Sequence, residues 1–196
     1  MMVSDECLDV IFRKARTHNS LSGEVTDAQL RAIWDIVKLG PTTANSQPAR
    51  ILFLRSKEAR ERLKPYLSPG NQDKTMAAPV TAIIAYDTLF YELLPRTFPH
   101  NPKMRDNYAG EEKKAYVETT ALRNSSLQGA YFIIVARALG IDTGPMSGFN
   151  NAGVDKEFFA GTSWKSNFLC NLGKGDWSKV FNRNPRLEFD EVCKFI

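Results

Sequence analysis

Residues 39–50 combine hydroxyl and amide side chains with two prolines, a pattern suited to ligand binding. Pro41 and Pro48 restrict the backbone φ angle, so the loop presents its polar groups on a stiff chain. Such a loop offers many hydrogen bonds to a polar, planar ligand. Its polar residues are Thr42, Thr43, Asn45, Ser46 and Gln47. An ordinary helix-to-strand connection contains the same turn-forming residues, so the loop alone leaves both interpretations open.

A phosphate-binding group is predicted at Arg16, Thr17, His18 and Asn19. These neighbours supply a permanent cation, a hydroxyl, an imidazole and an amide, and a guanidinium matches the oxygens of a phosphate. The polar end of an ordinary helix has the same composition, so this segment also has two interpretations.

Two further segments contain residue types that bind ligands. Asn71 and Lys74 lie one helical turn apart, so their amide and ammonium groups face one ligand edge. A solvated helix start is the alternative. The run Gly144-Pro145-Met146-Ser147-Gly148-Phe149 follows a short strand. The backbone N–H groups of such a turn can point at a ligand, although a plain turn explains the run as well.

Composition excludes several classes of protein. The 196 residues suit one domain over residues 1–196, and the net charge of +4 includes no dense basic block, which argues against a nucleic-acid partner. No apolar run approaches the roughly 18 residues of a membrane span, so we expect a cytoplasmic protein. Three distant cysteines and two histidines argue against a disulfide framework or a metal site. Familiar nucleotide-binding and nucleophile motifs are missing, so an enzyme of this sequence needs a cofactor.

Hydrophobic periodicity predicts the elements that hold these segments. The expected helices are one ending near residue 16 and others over residues 26–37, 56–67, 111–139 and 154–159. The expected strands are residues 51–54, 80–86, a short one at 141 and 164–172. Thr26 and Gln29 form a capping box at the start of the second helix, and Gly40 is expected to end that helix in the left-handed conformation.

The rest of the chain has three notable parts. Residues 90–107 are rich in proline and are expected to form a mobile cover or an ordinary surface loop. The long helix should end at Gly140 and bury an apolar set, which is Tyr116, Leu127, Ala130, Tyr131, Ile134 and Ala138. Its small residues would admit another helix, within the chain or across a dimer; they are Ser125, Ser126, Gly129 and Ala130. The chain ends in an irregular arm with Arg183 and Arg186.

In order and spacing, these segments resemble the FMN-binding segments of the nitroreductase family. The resemblance rests on residues 16–19, 40–48, 71 with 74, 144–149 and a late Arg186, and it extends over roughly residues 8–193. Longer runs at residues 67–71, 76–82, 158–162 and 171–173 resemble the RutE/HadB branch. Members of that branch are described as malonic semialdehyde reductases of pyrimidine degradation.

The resemblance implies an α+β fold with a mixed central β-sheet flanked by helices. It also implies a homodimer in which the C-terminal arm reaches the partner subunit, with FMN as the cofactor and NADH or NADPH as the reductant. Arg16, His18 and Arg186 match positions that hold the FMN phosphate, and Thr17 and Asn19 belong to the same segment.

The resemblance also assigns residues to the flavin ring. In family members, a loop from the other subunit lies along the flavin, and it corresponds here to Pro41, Thr42, Thr43 and Asn45. The positions that hydrogen-bond to the pyrimidine edge of the flavin ring correspond to Asn71 and Lys74. The Lys74 cation would favour the reduced, anionic ring. The turn behind the ring is matched by Pro145, Met146, Ser147 and Gly148.

Three functions are compatible with the resemblance. The first is a malonic semialdehyde reductase that forms 3-hydroxypropionate by ping-pong hydride transfer through flavin N5. The second is a general NAD(P)H nitro or quinone reductase, and the third is an FMN-binding protein without turnover. Ser20, Ser147 and Lys174 replace a lysine, an acidic residue and an aromatic residue found in other members, which leaves the acceptor and the redox tuning open.

Overall fold

A computed structural model describes residues 2–196, and its centre is one five-stranded sheet. The strands are β1 (Leu21–Ser22), β2 (Ala49–Leu54), β3 (Val80–Asp87), β4 (Asp142–Met146) and β5 (Trp164–Gly175). Their order is β1-β5-β3-β2, and β4 also pairs with β5. These strand pairs are antiparallel, and one parallel bridge joins Thr17 to Thr143.

Helices cover both faces of the sheet. They are α1 (Asp5–Leu8), α2 (Asp27–Val37), α3 (Lys57–Leu63), α4 (Pro69–Ala77), α5 (Leu94–Thr97), α6 (Lys114–Ala138), α7 (Asn151–Phe158) and α8 (Phe189–Val192). The capping box of Thr26 and Gln29 at the start of α2 is confirmed. The first helix continues as a π-helical turn, Asp9–Arg13, and so ends before the expected residue 16. Within residues 2–196, no helix is both long and apolar enough to cross a bilayer.

Strand β3 shows why the sheet lies at the centre, because all eight of its residues are buried. Val80, Ala82 and Ile84 point into a core that includes residues of α2 and α6. Ile83 and Ala85 point into a second core with residues of α3 and α7. Alternate side chains of β3 therefore pack against helices on opposite faces of the sheet. The predicted α+β fold is confirmed.

The buried face of α6 differs from the prediction. Tyr116 and Leu127 were expected in the core but are 55% and 43% exposed. The buried side instead carries polar and small residues, including Asn124, Gln128 and Gly129. A Cβ atom on Gly129 would lie 2.5 Å from the ring of Phe168. The absence of a side chain at Gly129 therefore admits the side chain of Phe168 from β5, while α2 packs against α6 in the first core.

Residues 90–107, expected to form a mobile cover or an ordinary surface loop, form short helices. A 3₁₀-helix, Phe90–Leu93, leads into α5, and a second 3₁₀-helix, Pro102–Asn107, follows. Phe90 and Leu94 are fully buried and belong to a third core cluster with residues of α6. We call residues 90–107 the helical excursion.

Candidate functional site

The segment predicted to bind phosphate runs beside β4. Thr17 forms the parallel bridge with Thr143, and the His18 N–H donates to the Thr143 carbonyl oxygen at 3.1 Å. These backbone contacts fix residues 16–19 against the sheet. The same strand continues into the predicted Gly/Pro turn, and Pro145 is tolerated within β4 because β5 is the only strand with which β4 pairs among residues 2–196.

Helix α4 connects this segment to the turn after β4. Lys74 donates through Nζ to Oδ1 of Asn19 at 3.4 Å. Asn71, one turn earlier, donates through Nδ2 to the carbonyl oxygen of Gly148 at 2.8 Å. The structure thus brings together three segments that the sequence assigned to ligand binding: residues 16–19, the Asn71/Lys74 pair and the turn at Gly148.

A buried polar network anchors α4 behind this site. Thr81 donates to Oδ1 of Asn171 at 2.7 Å, and Nδ2 of Asn171 lies 3.3 Å from Oγ1 of Thr75 and 3.4 Å from the Lys74 carbonyl oxygen. Burial lowers the pKa of the Lys74 ammonium from its usual value. The network therefore holds the backbone of α4 at Lys74 and Thr75, and the Lys74 side chain extends from this fixed position as a partly desolvated cation.

A polar cavity of about 500 Å³ adjoins residues 16–19. It is lined by four arginines, Arg16, Arg137, Arg183 and Arg186, together with Thr17, Asn19 and other uncharged residues. No carboxylate is among its lining residues within the described chain. Clustered guanidinium groups without a counter-charge are the donor set that a phosphate monoester requires, so the residues present fit such a group.

Sequence analysis assigned Arg16 and Arg186 to this role and missed Arg137 and Arg183. Arg183 precedes Arg186 by three residues in the arm. This short spacing was the available signal that both arginines could line one cavity. Arg137 lies in the last turn of α6, far from the other arginines in the sequence. Burial lowers the pKa of the Arg137 guanidinium, which is consistent with a position at the base of the cavity.

The imidazole of His18 does not line the arginine cavity. Its side chain is fully buried, with Nε2 3.5 Å from Oδ1 of Asp142 and the ring centroid 4.9 Å from that of Trp177. A Cβ atom on Gly175 would lie 2.2 Å from Nδ1. The backbone of His18 therefore belongs to the candidate site, whereas its ring packs into an adjacent space.

The loop of residues 41–47 has an unusual backbone. Ala44, Asn45 and Gln47 have φ angles of 49°, 48° and 43°, which lie in the left-handed region that non-glycine residues rarely occupy. The expected left-handed conformation at Gly40 was wrong. A Cβ atom there would lie 2.3 Å from the ring of Tyr131, so glycine is needed for close packing.

Two amides of α6 hold this loop, and the sequence analysis missed both. Asn124 accepts from the Thr43 N–H at 2.8 Å, and Gln128 accepts from the Ala49 N–H at 3.0 Å. Their spacing of four residues on one helix was the signal. Asn45 also donates to the Thr97 carbonyl oxygen at 2.7 Å, which ties the loop to the helical excursion.

The predicted site residues therefore form two separate groups in one chain. The arginine-cavity group comprises Arg16, Thr17, Asn19, Asn71, Lys74, Arg186 and the turn after β4. The loop group comprises Pro41, Thr42, Thr43 and Asn45. No hydrogen bond between residues 2 and 196 joins the two groups. The described residues also contain no cluster of three His, Cys, Asp or Glu side chains suited to a metal ion.

Comparison with known proteins yields consistent matches. The nitroreductase family model matches residues 21–174. A Cupriavidus pinatubonensis protein provisionally named NADH dehydrogenase/NAD(P)H nitroreductase is 56% identical over 194 residues, covering 98% of this chain and 99% of that protein. The Ralstonia pickettii protein provisionally named NADH dehydrogenase/NAD(P)H nitroreductase HadB is 54% identical over 193 residues, covering 98% of each.

Solved structures share the fold at low sequence identity. A structure from Exiguobacterium sibiricum, provisionally described as a nitroreductase and solved in complex with FMN, has a TM-score of 0.84 at 18% identity. The match covers 100% of this chain and 99% of that chain. The enone reductase CLA-ER of gut-bacterial fatty acid metabolism has a TM-score of 0.82 at 16% identity, with 100% of each chain covered.

Proposed function

Because this chain belongs to the nitroreductase family, we propose that it is an NAD(P)H oxidoreductase that reduces small organic acceptors by way of FMN. FMN is the cofactor, and NADH or NADPH is the reductant. The observation that carries this proposal is the arginine cavity and its hydrogen-bonded connection to α4 and the turn after β4. The arginine side of this hydrogen-bonded group suits a phosphate, and the Asn71 and Lys74 side suits a polar ring.

The residues of the arginine-cavity group have distinct roles in this proposal. Arg16 and Arg186 hold the phosphate, assisted by Thr17 and Asn19. Asn71 and Lys74 bind the pyrimidine edge of the ring, with the Lys74 cation favouring the reduced state. The backbone of residues 145–148 lies behind the ring. His18 contributes through its backbone, and its buried imidazole fixes the segment.

The loop group completes the site from a second subunit. Within the described chain its residues hydrogen-bond to α6, to Thr97 and to each other but not to the arginine-cavity group, and in this proposal a homodimer places Thr42, Thr43 and Asn45 along the ring. Exposed apolar residues on α6 and the arm support this assembly; they are Tyr116, Leu122, Leu127, Phe189 and Phe195. In the proposed dimer the C-terminal arm extends onto the partner.

The chemistry is ping-pong hydride transfer. When bound, FMN would supply N5 as the hydride carrier between NAD(P)H and the acceptor, with Asn71, Lys74 and the backbone of residues 145–148 holding the ring. The protein binds and orients the ring, keeps a cation at its edge through Lys74, and excludes water by means of the partner loop and the helical excursion.

Malonic semialdehyde is the proposed acceptor, with 3-hydroxypropionate as the product in pyrimidine degradation. The support is the resemblance of residues 67–71, 76–82, 158–162 and 171–173 to the RutE/HadB branch. The second candidate is a general nitro or quinone reductase, which the NAD(P)H nitroreductase names of the relatives favour.

An anaerobic absorbance experiment separates these functions. The protein is reconstituted with FMN, reduced with stoichiometric NADH or NADPH, and mixed with malonic semialdehyde, a nitroarene or a quinone. Rapid return of the oxidised flavin band with the aldehyde supports the first function. Return only with the nitroarene or quinone supports the second, and the absence of a bound flavin band after reconstitution rejects the proposal altogether.

A further inference from the structure

Two segments that are distant in the chain hold each other across the arginine cavity. Arg183 of the arm donates through Nη2 to the carbonyl oxygens of Arg13 at 2.7 Å and Ala15 at 3.0 Å. In the opposite direction, Arg16 donates through Nη2 to the carbonyl oxygen of Phe181. Residues 13–16 and residues 181–186, which we call the arm root, are thus joined by reciprocal arginine-to-carbonyl hydrogen bonds.

These hydrogen bonds do not neutralise the positive charges of Arg16 and Arg183. A carbonyl oxygen satisfies an N–H donor but carries no net charge, and no carboxylate lines the cavity within the described chain. Each guanidinium has five N–H donors, so Arg16 and Arg183 keep donors for another acceptor. Mutual repulsion of the four guanidinium groups opposes docking of the arm root when no anion is bound.

We propose that a phosphate monoester and the arm root bind cooperatively, with Arg183 as the positioning residue that couples them. The inference rests on the proposed function, because it assigns a regulation to the same phosphate site. An anion relieves the repulsion and so favours the docked arm root. By thermodynamic reciprocity, the docked arm root increases the affinity for the anion. Arg183 acts through the carbonyl groups that precede Arg16, and so fixes the guanidinium that contacts phosphate.

Limited proteolysis of the full chain tests the coupling directly. Chymotrypsin cleaves after aromatic residues, and Phe181 at the arm root is 76% exposed, so cleavage there reports local opening of the backbone. Cleavage products are followed by intact mass in FMN, inorganic phosphate, riboflavin or KCl at matched ionic strength. FMN and inorganic phosphate should slow cleavage after Phe181 about fivefold or more, as expected for coupling of typical strength. Equal protection by riboflavin or KCl would overturn the proposal.

Variants of Arg183 provide a readout that does not depend on turnover. The dissociation constant of FMN is measured by fluorescence quenching, and correct folding is checked by circular dichroism. Arg183→Gln should raise this constant about tenfold and abolish protection by phosphate, since two hydrogen bonds from a charged group are lost. Arg183→Lys retains the charge without the paired geometry, so it should recover part of the affinity but not the protection. Arg31→Gln, an exposed arginine of α2, is the matched control and should change neither.

The outcomes separate this proposal from the proposed function. Wild-type affinity and protection in Arg183→Gln would overturn the coupling, while FMN binding by that variant would leave the oxidoreductase function intact. If the wild-type protein fails to quench FMN but phosphate still protects Phe181, the oxidoreductase proposal fails and the coupling stands.

Discussion

Gly175 and His18 are packed together where the end of β5 meets the phosphate segment. The His18 imidazole lies between Gly175 and Trp177, and its backbone N–H is bonded to Thr143 of β4. The packing of this ring therefore helps to fix the orientation of residues 16–19. At the scale of single residues, the geometry of the proposed phosphate site depends on a side chain that does not line the cavity.

Gly175→Ala should destabilise the protein and weaken FMN binding together. The added methyl group would lie 2.2 Å from Nδ1 of His18, so the ring and its segment must shift. Overpacking of this kind costs about 1–3 kcal/mol. Urea unfolding and fluorescence quenching measure the two effects. Gly70→Ala is the control, because a Cβ atom at residue 70 meets nothing within 4 Å. An unchanged stability of Gly175→Ala would contradict the packing argument.

Helix α6 supports the loop group at the scale of elements. Its buried side places Asn124 and Gln128 one turn apart, where they accept the N–H groups of Thr43 and Ala49. Between these two contacts the loop holds its three left-handed residues. The helix therefore supplies hydrogen bonds that keep a strained loop in place, in addition to apolar packing.

Asn124→Ala should loosen the loop and lower the stability of the protein. The substitution leaves the Thr43 N–H without its acceptor and creates a small cavity at a residue that is 1% exposed. The expected decrease in the free energy of unfolding is about 1–3 kcal/mol. Hydrogen exchange should increase at residues 42–47 in particular. Arg123→Ala, on the exposed side of the same helix, serves as the control. Equal hydrogen exchange at residues 42–47 in both variants would show that the Asn124 hydrogen bond does not hold the loop.

The third core cluster, in which Tyr86 and Tyr108 pack with residues of the helical excursion and α6, should be the part of the fold that is most sensitive to alkali. Burial and Glu118 raise the pKa of Tyr86 to about 12, and burial and Tyr116 raise that of Tyr108 to about 12. Tyrosines in the unfolded chain lose their protons near pH 10. Between pH 10 and pH 12 these tyrosines ionise in the unfolded chain before they ionise in the folded protein. The free energy of unfolding therefore decreases as the pH rises through this range, and their contribution to stability is fully present only below pH 10.

Urea unfolding at pH 8, 10 and 11 measures this loss, which should reach about 1 kcal/mol or more per pH unit above pH 10. The double variant Tyr86→Phe, Tyr108→Phe should flatten the decline, because neither phenylalanine ionises. Tyr66→Phe, which packs against the second core and not the third, is the comparison. A decline of the same steepness in the double variant would assign alkaline unfolding to other groups.

Local patterns in the sequence predicted most of the elements. The apolar run of β3 and the capping box of α2 are determined by neighbours in the chain, so periodicity and capping rules identified them. The exposed side of α6 was not predictable, because Tyr116 and Leu127 look like core residues until the sheet position is known. The Asn124 contact spans 81 residues, and no local rule contains it. Residue types indicated the part of the arginine cavity at residues 16–19, and the family resemblance added Arg186, whereas Arg137 and Arg183 were missed.

At the scale of the whole molecule, the two groups of candidate residues lie apart within one chain. Each chain presents an arginine-cavity group and a loop group, and in the proposed function neither forms a complete flavin site by itself. A two-fold symmetric dimer would pair each cavity with the loop of its partner and so complete two equivalent sites. Light scattering should therefore give a mass of twice the 22.1 kDa of one chain.

Subunit complementation tests whether the sites are shared. Lys74→Glu alters only the arginine-cavity group, and Thr43→Trp alters only the loop group at an exposed residue. Each homodimer should bind little FMN, because both of its sites contain a defect. A heterodimer of the two variants, isolated with two different affinity tags, has one site with both defects and one with neither. Its FMN content should therefore recover to about half that of the wild-type dimer, as two-fold symmetry requires. If each site were built within a single chain, every site of the heterodimer would contain one defect, and its flavin content would stay as low as in the homodimers.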